Sequence, residues 1–297
     1  MTTIIDGTRL AVAIRDDTAE AARDLTARGC TPKVAVVLAT DDESTAWYVR
    51  SIARAAQKTG IACDIVDVGP SASNAELRNA LTAVSHDPDV HGVILQTPLP
   101  ADADLDTLRE AIDPAKDIDG ANPVSLGRLV ANLPAFAPST AQAVMALLAD
   151  YGIALRGKTV AVVGRSTVVG APTAQLLTRA DATVTVCHRH TVDLAAHTRG
   201  AEIVIAAVGM PGLITAEHIA DGAIVIDVGT TATDDGRLLG DVDAASVEGR
   251  AAALTPVPGG VGPVTTALLL QHTVKAATGQ LAQATSPDLA GASGRHR

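Results

Sequence analysis

The most constraining feature of this sequence is a series of short, largely apolar runs separated by longer stretches with helical spacing. Lys33–Leu38 (KVAVVL) suits a compact buried strand, and Ala62–Val68, Gly92–Gln96 (GVILQ), Thr159–Val163, Ala182–Cys187, Glu202–Val208 and Ala223–Val228 also read as strands. Between them, Leu10–Ala27, Thr45–Thr59, Asn74–Ser85 and Ala141–Tyr151 carry apolar residues at helical intervals, with Gly60 where a helix C-terminus belongs. Strands that alternate with helices in this way need crossover connections, so the class is α/β with parallel sheets. A chain of 297 residues exceeds what one core usually organises, which predicts two domains. Hydrophobic residues make up 47 % of the chain and aromatic ones only 1 %, so Ala, Val, Leu and Ile must fill both cores.

The passage Thr97–Pro138 is dense in Pro, Asp and Gly and reads as loop-rich. It places the first domain at 1–138 and the second at 139–264. A final helix at about Thr265–Thr278 is expected to pack back on the first domain, and 279–297 to be a disordered tail. A net charge of −10 argues against broad attraction to nucleic acid or to anionic membrane. Cys30, Cys63 and Cys187 lack metal-ligand spacing and fit reduced thiols. With neither a basic-then-apolar leader nor an apolar run of membrane-spanning length, a cytoplasmic location is expected and no metal is implied.

The strand Thr159–Val163 runs into Gly164-Arg165-Ser166-Thr167-Val168-Val169-Gly170. Gly164 permits a tight turn off a strand, and Gly170 lets a helix begin close to the sheet with its first amides exposed to a pyrophosphate. Ser166 replaces the second glycine of the usual dinucleotide fingerprint, so the strand–helix context carries the reading, and an ordinary glycine turn is the alternative. The next strand ends Cys187-His188-Arg189-His190, without the acid that an NAD site places there. Arg189, helped by Arg165, suits a 2′-phosphate and hence NADP; the bland alternative is a solvated strand end.

These segments align with a known family. Gly92–Pro100 (GVILQTPLP), Pro114–Gly120 (PAKDIDG), Gly157–Pro172 (GKTVAVVGRSTVVGAP) and Ala182–His188 (ATVTVCH) carry the match. It continues in Ala201–Gly212 (AEIVIAAVGMPG), Gly222–Gly229 (GAIVIDVG), Gly240–Asp243 (GDVD) and Thr255–Thr265 (TPVPGGVGPVT). Up to about Ala277 the chain resembles the methylenetetrahydrofolate dehydrogenase/cyclohydrolase family, the FolD type of bifunctional folate enzyme. The resemblance implies an N-terminal folate-binding catalytic domain, completed by the C-terminal helix, and a Rossmann-like NADP-binding domain, with a cleft between them. It also implies a homodimer. It further implies NADP-dependent oxidation of 5,10-methylenetetrahydrofolate to the methenyl cation, then hydration to 10-formyltetrahydrofolate. By position, Tyr48 would stack on the pterin, Gln96 would sit near the reacting carbon and Asp119 would grip the amino-pyrimidine edge. Gly164, Arg165, Ser166, Arg189 and Thr230 would lie along the cofactor.

The chemistry of Asp119 agrees with that role, because a 2-amino-4-oxo pyrimidine presents adjacent N–H donors that a carboxylate matches. A solvated turn aspartate is its alternative, and a strand-end side chain is that of Gln96. The chain departs from the family at the reactive centre. The lysine one helical turn after the tyrosine is Ile52 here, and Arg50, Arg54 and Lys58 do not replace it by helical geometry. Thr40, Ser139-Thr140-Ala141 and Gly229-Thr230-Thr231 also differ from the family pattern. Loss of an ammonium should weaken hydration more than hydride transfer. The expectation is therefore a dehydrogenase with weak or absent cyclohydrolase activity; the alternatives are both activities through a relocated base, or a non-catalytic folate- or NADP-binding paralog.

Overall fold

The computed structural model describes residues 1–233 and 236–285. The described residues form two units, each discontinuous in sequence: Arg15–Ile118 with 270–285, and Met1–Ile14 with the described part of Asp119–Leu269.

The unit built on Arg15–Ile118 holds a three-stranded parallel sheet in the order Ala62–Asp67, Lys33–Leu38, Gly92–Leu95. Val34–Leu38 are buried, as an unbroken apolar run in a central parallel strand requires. The helix that follows, Glu43–Lys58, starts where Asp42 accepts the Thr45 amide at 2.7 Å and the hydroxyls of Ser44 and Thr45 at 2.5 and 2.6 Å. Those bonds, Ser44 foremost, hold the Asp42 carboxyl below the usual carboxylate range. Asn74–His86 begins on a reciprocal Ser73–Glu76 capping box and buries Leu77 and Leu81 against Val93, Leu108 and Ile112. Each such side chain contributes about 1.5–3 kcal/mol when fully buried.

Gly92 has a structural reason. A Cβ there would lie 2.8 Å from Ile118 Cγ2, so only glycine lets the segment 116–118 lie against this strand. The Val93 amide donates to the Lys116 carbonyl at 2.8 Å, which delivers the chain to Asp119.

The other unit carries a six-stranded parallel sheet: Thr3–Ile4, Ala253–Leu254, Ile224–Asp227, Ile203–Ala206, Thr159–Val163, Thr183–Cys187. Residues alternate between two cores. Val160 and Val162 pack with Val144, Leu147, Leu177 and Ile205, while Ala161 and Val163 pack with Val204, Ile214, Val225 and Val247. Burial on both faces is what the apolar character of the central strands demands, while the edge strand Thr183–Cys187 leaves Thr183, Thr185 and Val186 exposed. The edge strand Thr3–Ile4 is held by the Thr3 amide on Ala252 O and the Ile5 amide on Leu254 O, both at 2.8 Å. A short antiparallel pair, Thr231–Ala232 with Leu238–Leu239, lies beyond Ile224–Asp227 in sequence.

The loop-rich passage 97–138 also contains the helices Leu105–Arg109 and Pro123–Val130, capped by Asp104 and Asn122. At one to two turns each they are too short to show periodicity. The final helix runs Val261–Thr285 rather than about 265–278, since the Ala, Gln and Leu residues after 278 sustain it. The rest of the expected tail, 286–297, lies outside the described residues. Among the described residues no helix is long and apolar enough to cross a membrane.

Candidate functional site

The turn after Thr159–Val163 is built by two glycines in backbone contact. Gly164 has φ +127°, and a Cβ on it would lie 2.1 Å from Ala207 O. A Cβ on Gly170 would lie 2.2 Å from Gly164 O. Side chains are therefore excluded at both positions, and the helix Gly170–Arg179 starts directly against the strand end. Ser166, which stands in place of the fingerprint's second glycine, receives the Val169 amide on Oγ at 3.2 Å and the Ala171 amide on its carbonyl at 3.0 Å. The serine thus organises the entry of the helix. Gly164 N donates to Cys187 O at 2.8 Å, which ties the turn to the neighbouring strand end.

Four of the five residues expected along the cofactor, Gly164, Arg165, Ser166 and Arg189, therefore follow two adjacent strands at one sheet edge. Thr230 follows Ile224–Asp227 at the same edge and is exposed, as are Arg165, Ser166 and Arg189. Arg189 Nε donates to His190 Nε2 at 3.2 Å, and the His190 amide donates to His188 Nδ1 at 3.2 Å. This exposed, cation-bearing strand end contains no carboxylate. It is the carboxyl edge of the strands, where open α/β sheets receive their ligands. The glycine turn fits a dinucleotide by the same test, because it brings backbone rather than side chains to that edge.

Two buried acids that sequence reasoning left without a role shape the same edge. Asp227 accepts the Gly229 and Asp241 amides on Oδ1, both at 2.9 Å, and the Val242 amide on Oδ2 at 3.0 Å. Asp241 accepts Val208 N at 2.6 Å and Gly209 N at 3.0 Å on Oδ2, and Met210 N at 2.7 Å on Oδ1. Burial pushes the Asp227 carboxyl up to about 6, against the pull of its three amide donors. Both acids lie in quoted motifs, GAIVIDVG and GDVD, but apart from Gly229 their partners are 14 to 33 residues away and leave no local signal.

In the other unit, Tyr48 is half-buried on the second turn of Glu43–Lys58, with Trp47 exposed beside it. Gln96 follows the strand Gly92–Leu95, its amide donating to Val37 O at 2.8 Å and its Nε2 to Thr97 O at 2.8 Å. Tyr48 and Gln96 thus belong to the carboxyl ends of two paired strands or the helix leaving them. Ile52 is 1 % exposed and shares the buried face of its helix with Thr45, Val49 and Ala56. Arg50 turns outward to Glu43, 3.0 Å away.

Asp119 is half-buried, and Ser139 Oγ donates to its Oδ1 at 2.5 Å. Ser139 belongs to the segment flagged as a departure from the family, but its bond to Asp119 crosses 20 residues and was not foreseen. Just before Asp119, the Ile118 carbonyl accepts from Nδ1 of His272 at 2.7 Å. Asp119 groups with the larger sheet's unit, and Tyr48 and Gln96 with the smaller one.

Cys30 Sγ approaches His91 Nε2 at 3.4 Å, but the pair has the wrong polarity for a nucleophile. Lys33 N donates to His91 Nδ1 at 3.1 Å, so the neutral imidazole carries its proton on Nε2, facing the sulfur. Burial also raises the thiol. Among the described residues, no group of three His, Cys, Asp or Glu side chains could hold a metal ion.

An α/β chain with a glycine turn of this kind at the edge of a parallel sheet is a dinucleotide-binding protein in class. Residues 5–119 match the family model described as tetrahydrofolate dehydrogenase/cyclohydrolase, catalytic domain, and 138–281 match the NAD(P)-binding domain of the same family. A Rhodococcus jostii protein named bifunctional protein FolD 1 is 69 % identical, covering 96 % of each chain. The crystal structure of a Campylobacter jejuni FolD methylenetetrahydrofolate dehydrogenase/cyclohydrolase superposes with TM-score 0.91 at 38 % identity, covering 94 % of this chain and 99 % of that one. The Trypanosoma brucei enzyme, solved with NADP cofactor and an inhibitor, gives 0.90 at 37 % identity, covering 94 % and 98 %. The chain belongs to the tetrahydrofolate dehydrogenase/cyclohydrolase family. Every strand of its larger sheet except Thr3–Ile4 lies in the family's NAD(P)-binding domain, so its cofactor is a nicotinamide dinucleotide.

Proposed function

We propose that this protein oxidises 5,10-methylenetetrahydrofolate with NADP⁺ and hydrates the methenyl product to 10-formyltetrahydrofolate. The observation that carries this reading is the Gly164–Gly170 cradle, in a chain that matches both domains of the folate family. NADP⁺ supplies the hydride acceptor when bound. Gly164, Arg165 and Ser166 border its pyrophosphate, Thr230 lies farther along it, and Arg189 selects the 2′-phosphate in a strand end without an acid. Asp119 orients the pterin through the amino-pyrimidine edge, Tyr48 stacks on it and Gln96 faces the reacting carbon. Residues 1–138 with the C-terminal part of the helix Val261–Thr285 handle the folate, residues 139–264 the cofactor, and the working form is a cytoplasmic homodimer.

Hydration in this reading proceeds without an ammonium at position 52. The relatives' names favour it, since the Rhodococcus protein and a Saccharopolyspora erythraea protein 62 % identical are both called bifunctional. They lend nothing to the non-catalytic alternative. A second reading, oxidation with hydration much reduced, is favoured by one observation: Ile52 is buried and apolar and brings no proton donor. Following NADPH formation and methenyl decay separately with the purified protein decides. NADPH formation with methenyl decay above the uncatalysed rate supports the first reading, and NADPH formation alone supports the second. No NADPH from methylenetetrahydrofolate refutes both.

A further inference from the structure

We propose that Asp241 is a positioning residue of the dinucleotide site, acting through the backbone of residues 208–210. The proposal rests on the reading that NADP lies at the carboxyl edge of the larger sheet. The loop after Ile203–Ala206 leaves that edge between the glycine turn's strand and the strand leading to Thr230. Three successive amides in it, Val208, Gly209 and Met210, converge on one carboxylate at 2.6–3.0 Å. Consecutive converging N–H groups are a ready-made anion site, and here the protein fills it with its own side chain. The carboxylate fixes the loop's course, including the positive φ of +66° at Gly209.

Asp241 is itself held. It is 0 % exposed, and its own amide donates to Asp227 Oδ1 at 2.9 Å, the same oxygen that receives Gly229 N at 2.9 Å. A Cβ on Gly229 would lie 2.3 Å from Asp241 Cγ, and one on Gly240 would lie 1.9 Å from Asp227 Oδ2. Two carboxylates and two glycines thus lock the 208–210 loop to the Gly229–Thr230 turn. Both segments follow strands at the cofactor edge. The three amides face inward, so this loop offers the ligand its shape and its other atoms, not an anion-binding nest. The pyrophosphate is left to the Gly164–Gly170 turn.

The test compares Asp241→Ala and Asp241→Asn with the wild type by NADP⁺ and folate calorimetry and by steady-state kinetics. Asp241→Ala should raise the Kd and KM for NADP⁺ roughly tenfold or more, because charge-assisted bonds to three amides are lost. Folate affinity should be unchanged. Added formate, which can occupy the vacated nest, should restore part of the NADP⁺ affinity, and chloride should restore less. Asp241→Asn keeps the volume and one acceptor oxygen and should fall between the two; it decides the matter if the alanine variant does not fold. In the wild type, the amide resonances of Val208, Gly209 and Met210 should shift as NADP⁺ is added. A folded variant with unaltered NADP⁺ affinity overturns the proposal, as do amides that stay still through the titration or an equal loss of folate and NADP⁺ binding. A wild type that binds no NADP⁺ refutes the underlying reading instead.

Discussion

The imidazole of His272, 2 % exposed, donates from Nδ1 to the carbonyl of Ile118 at 2.7 Å, one residue before Asp119. The carbonyl can only accept, so the ring holds its proton on Nδ1, and burial depresses the imidazolium pKa to about 4 from 6.5. The stability this neutral ring supplies is present above pH 6.5 and is lost as pH falls toward 4.

Asp227 acts in the opposite sense. Its carboxyl is raised from 3.8 to about 6, so its protonated form favours the fold, and that contribution is lost as pH rises from 3.8 to 6. Each shift amounts to about 3 kcal/mol at most, and over the shared window the two slopes oppose. Urea denaturation across this range should show wild type gaining about 3 kcal/mol over His272→Asn as pH rises, and losing about as much relative to Asp227→Asn. Differences that do not vary with pH would refute both assignments.

Arg189→Ala should weaken NADP⁺ binding by roughly tenfold or more and leave NAD⁺ binding nearly unchanged, since a charge-assisted contact contributes about 1.5–3 kcal/mol. Calorimetry with both cofactors checks this. Equal losses for the two would mean that Arg189 does not read the 2′-phosphate.

Asp119→Ala should abolish detectable folate binding with NADP⁺ affinity intact. Ser139→Ala removes the 2.5 Å bond to the carboxylate while leaving the acid in place, and should raise the folate KM more than it lowers kcat. Undiminished folate affinity in Asp119→Ala would reduce this acid to a turn residue.

At Gly170, an added methyl would meet the Gly164 carbonyl at 2.2 Å. Gly170→Ala should therefore cost on the order of 2 kcal/mol or more and impair NADP⁺ binding, because the helix must retreat from the strand. Thermal unfolding and cofactor titration together measure it; a variant as stable as wild type would show that the contact is readily relieved.

Ile52→Lys should lower stability by about 2–4 kcal/mol, since position 52 offers an ammonium almost no water. If hydration runs without a lysine, methenyl decay in this variant should not exceed that of the wild type. A large acceleration would favour the second functional reading.

The long strands and helices were legible because each carries its own period: KVAVVL and TVAVV can hardly be anything but buried parallel strands. Thr3–Ile4 and Ala253–Leu254 were not, because two residues have no period and their pairing is set by partners at the far end of the chain. The site divides similarly. Gly164, Gly170 and the missing acid after Cys187 are local signals. Ser139 on Asp119, His272 on Ile118 and the amides on Asp241 are long-range hydrogen bonds, invisible until the chain is folded. Ile52 was legible as an oddity, but its burial was not.

The pairing of Thr3–Ile4 with Ala253–Leu254 also sets a schedule for synthesis. Among the described residues Thr3–Ile4 is an edge strand whose one sheet partner, Ala253–Leu254, is made much later. Elongation at about 5–20 residues per second keeps that partner away for roughly 12–50 s. Until Ala253–Leu254 emerges, Thr3–Ile4 has no strand to pair with among the described residues. A nascent chain stalled before residue 253 should therefore expose Thr3–Ile4 to protease long after the strand Lys33–Leu38 is protected.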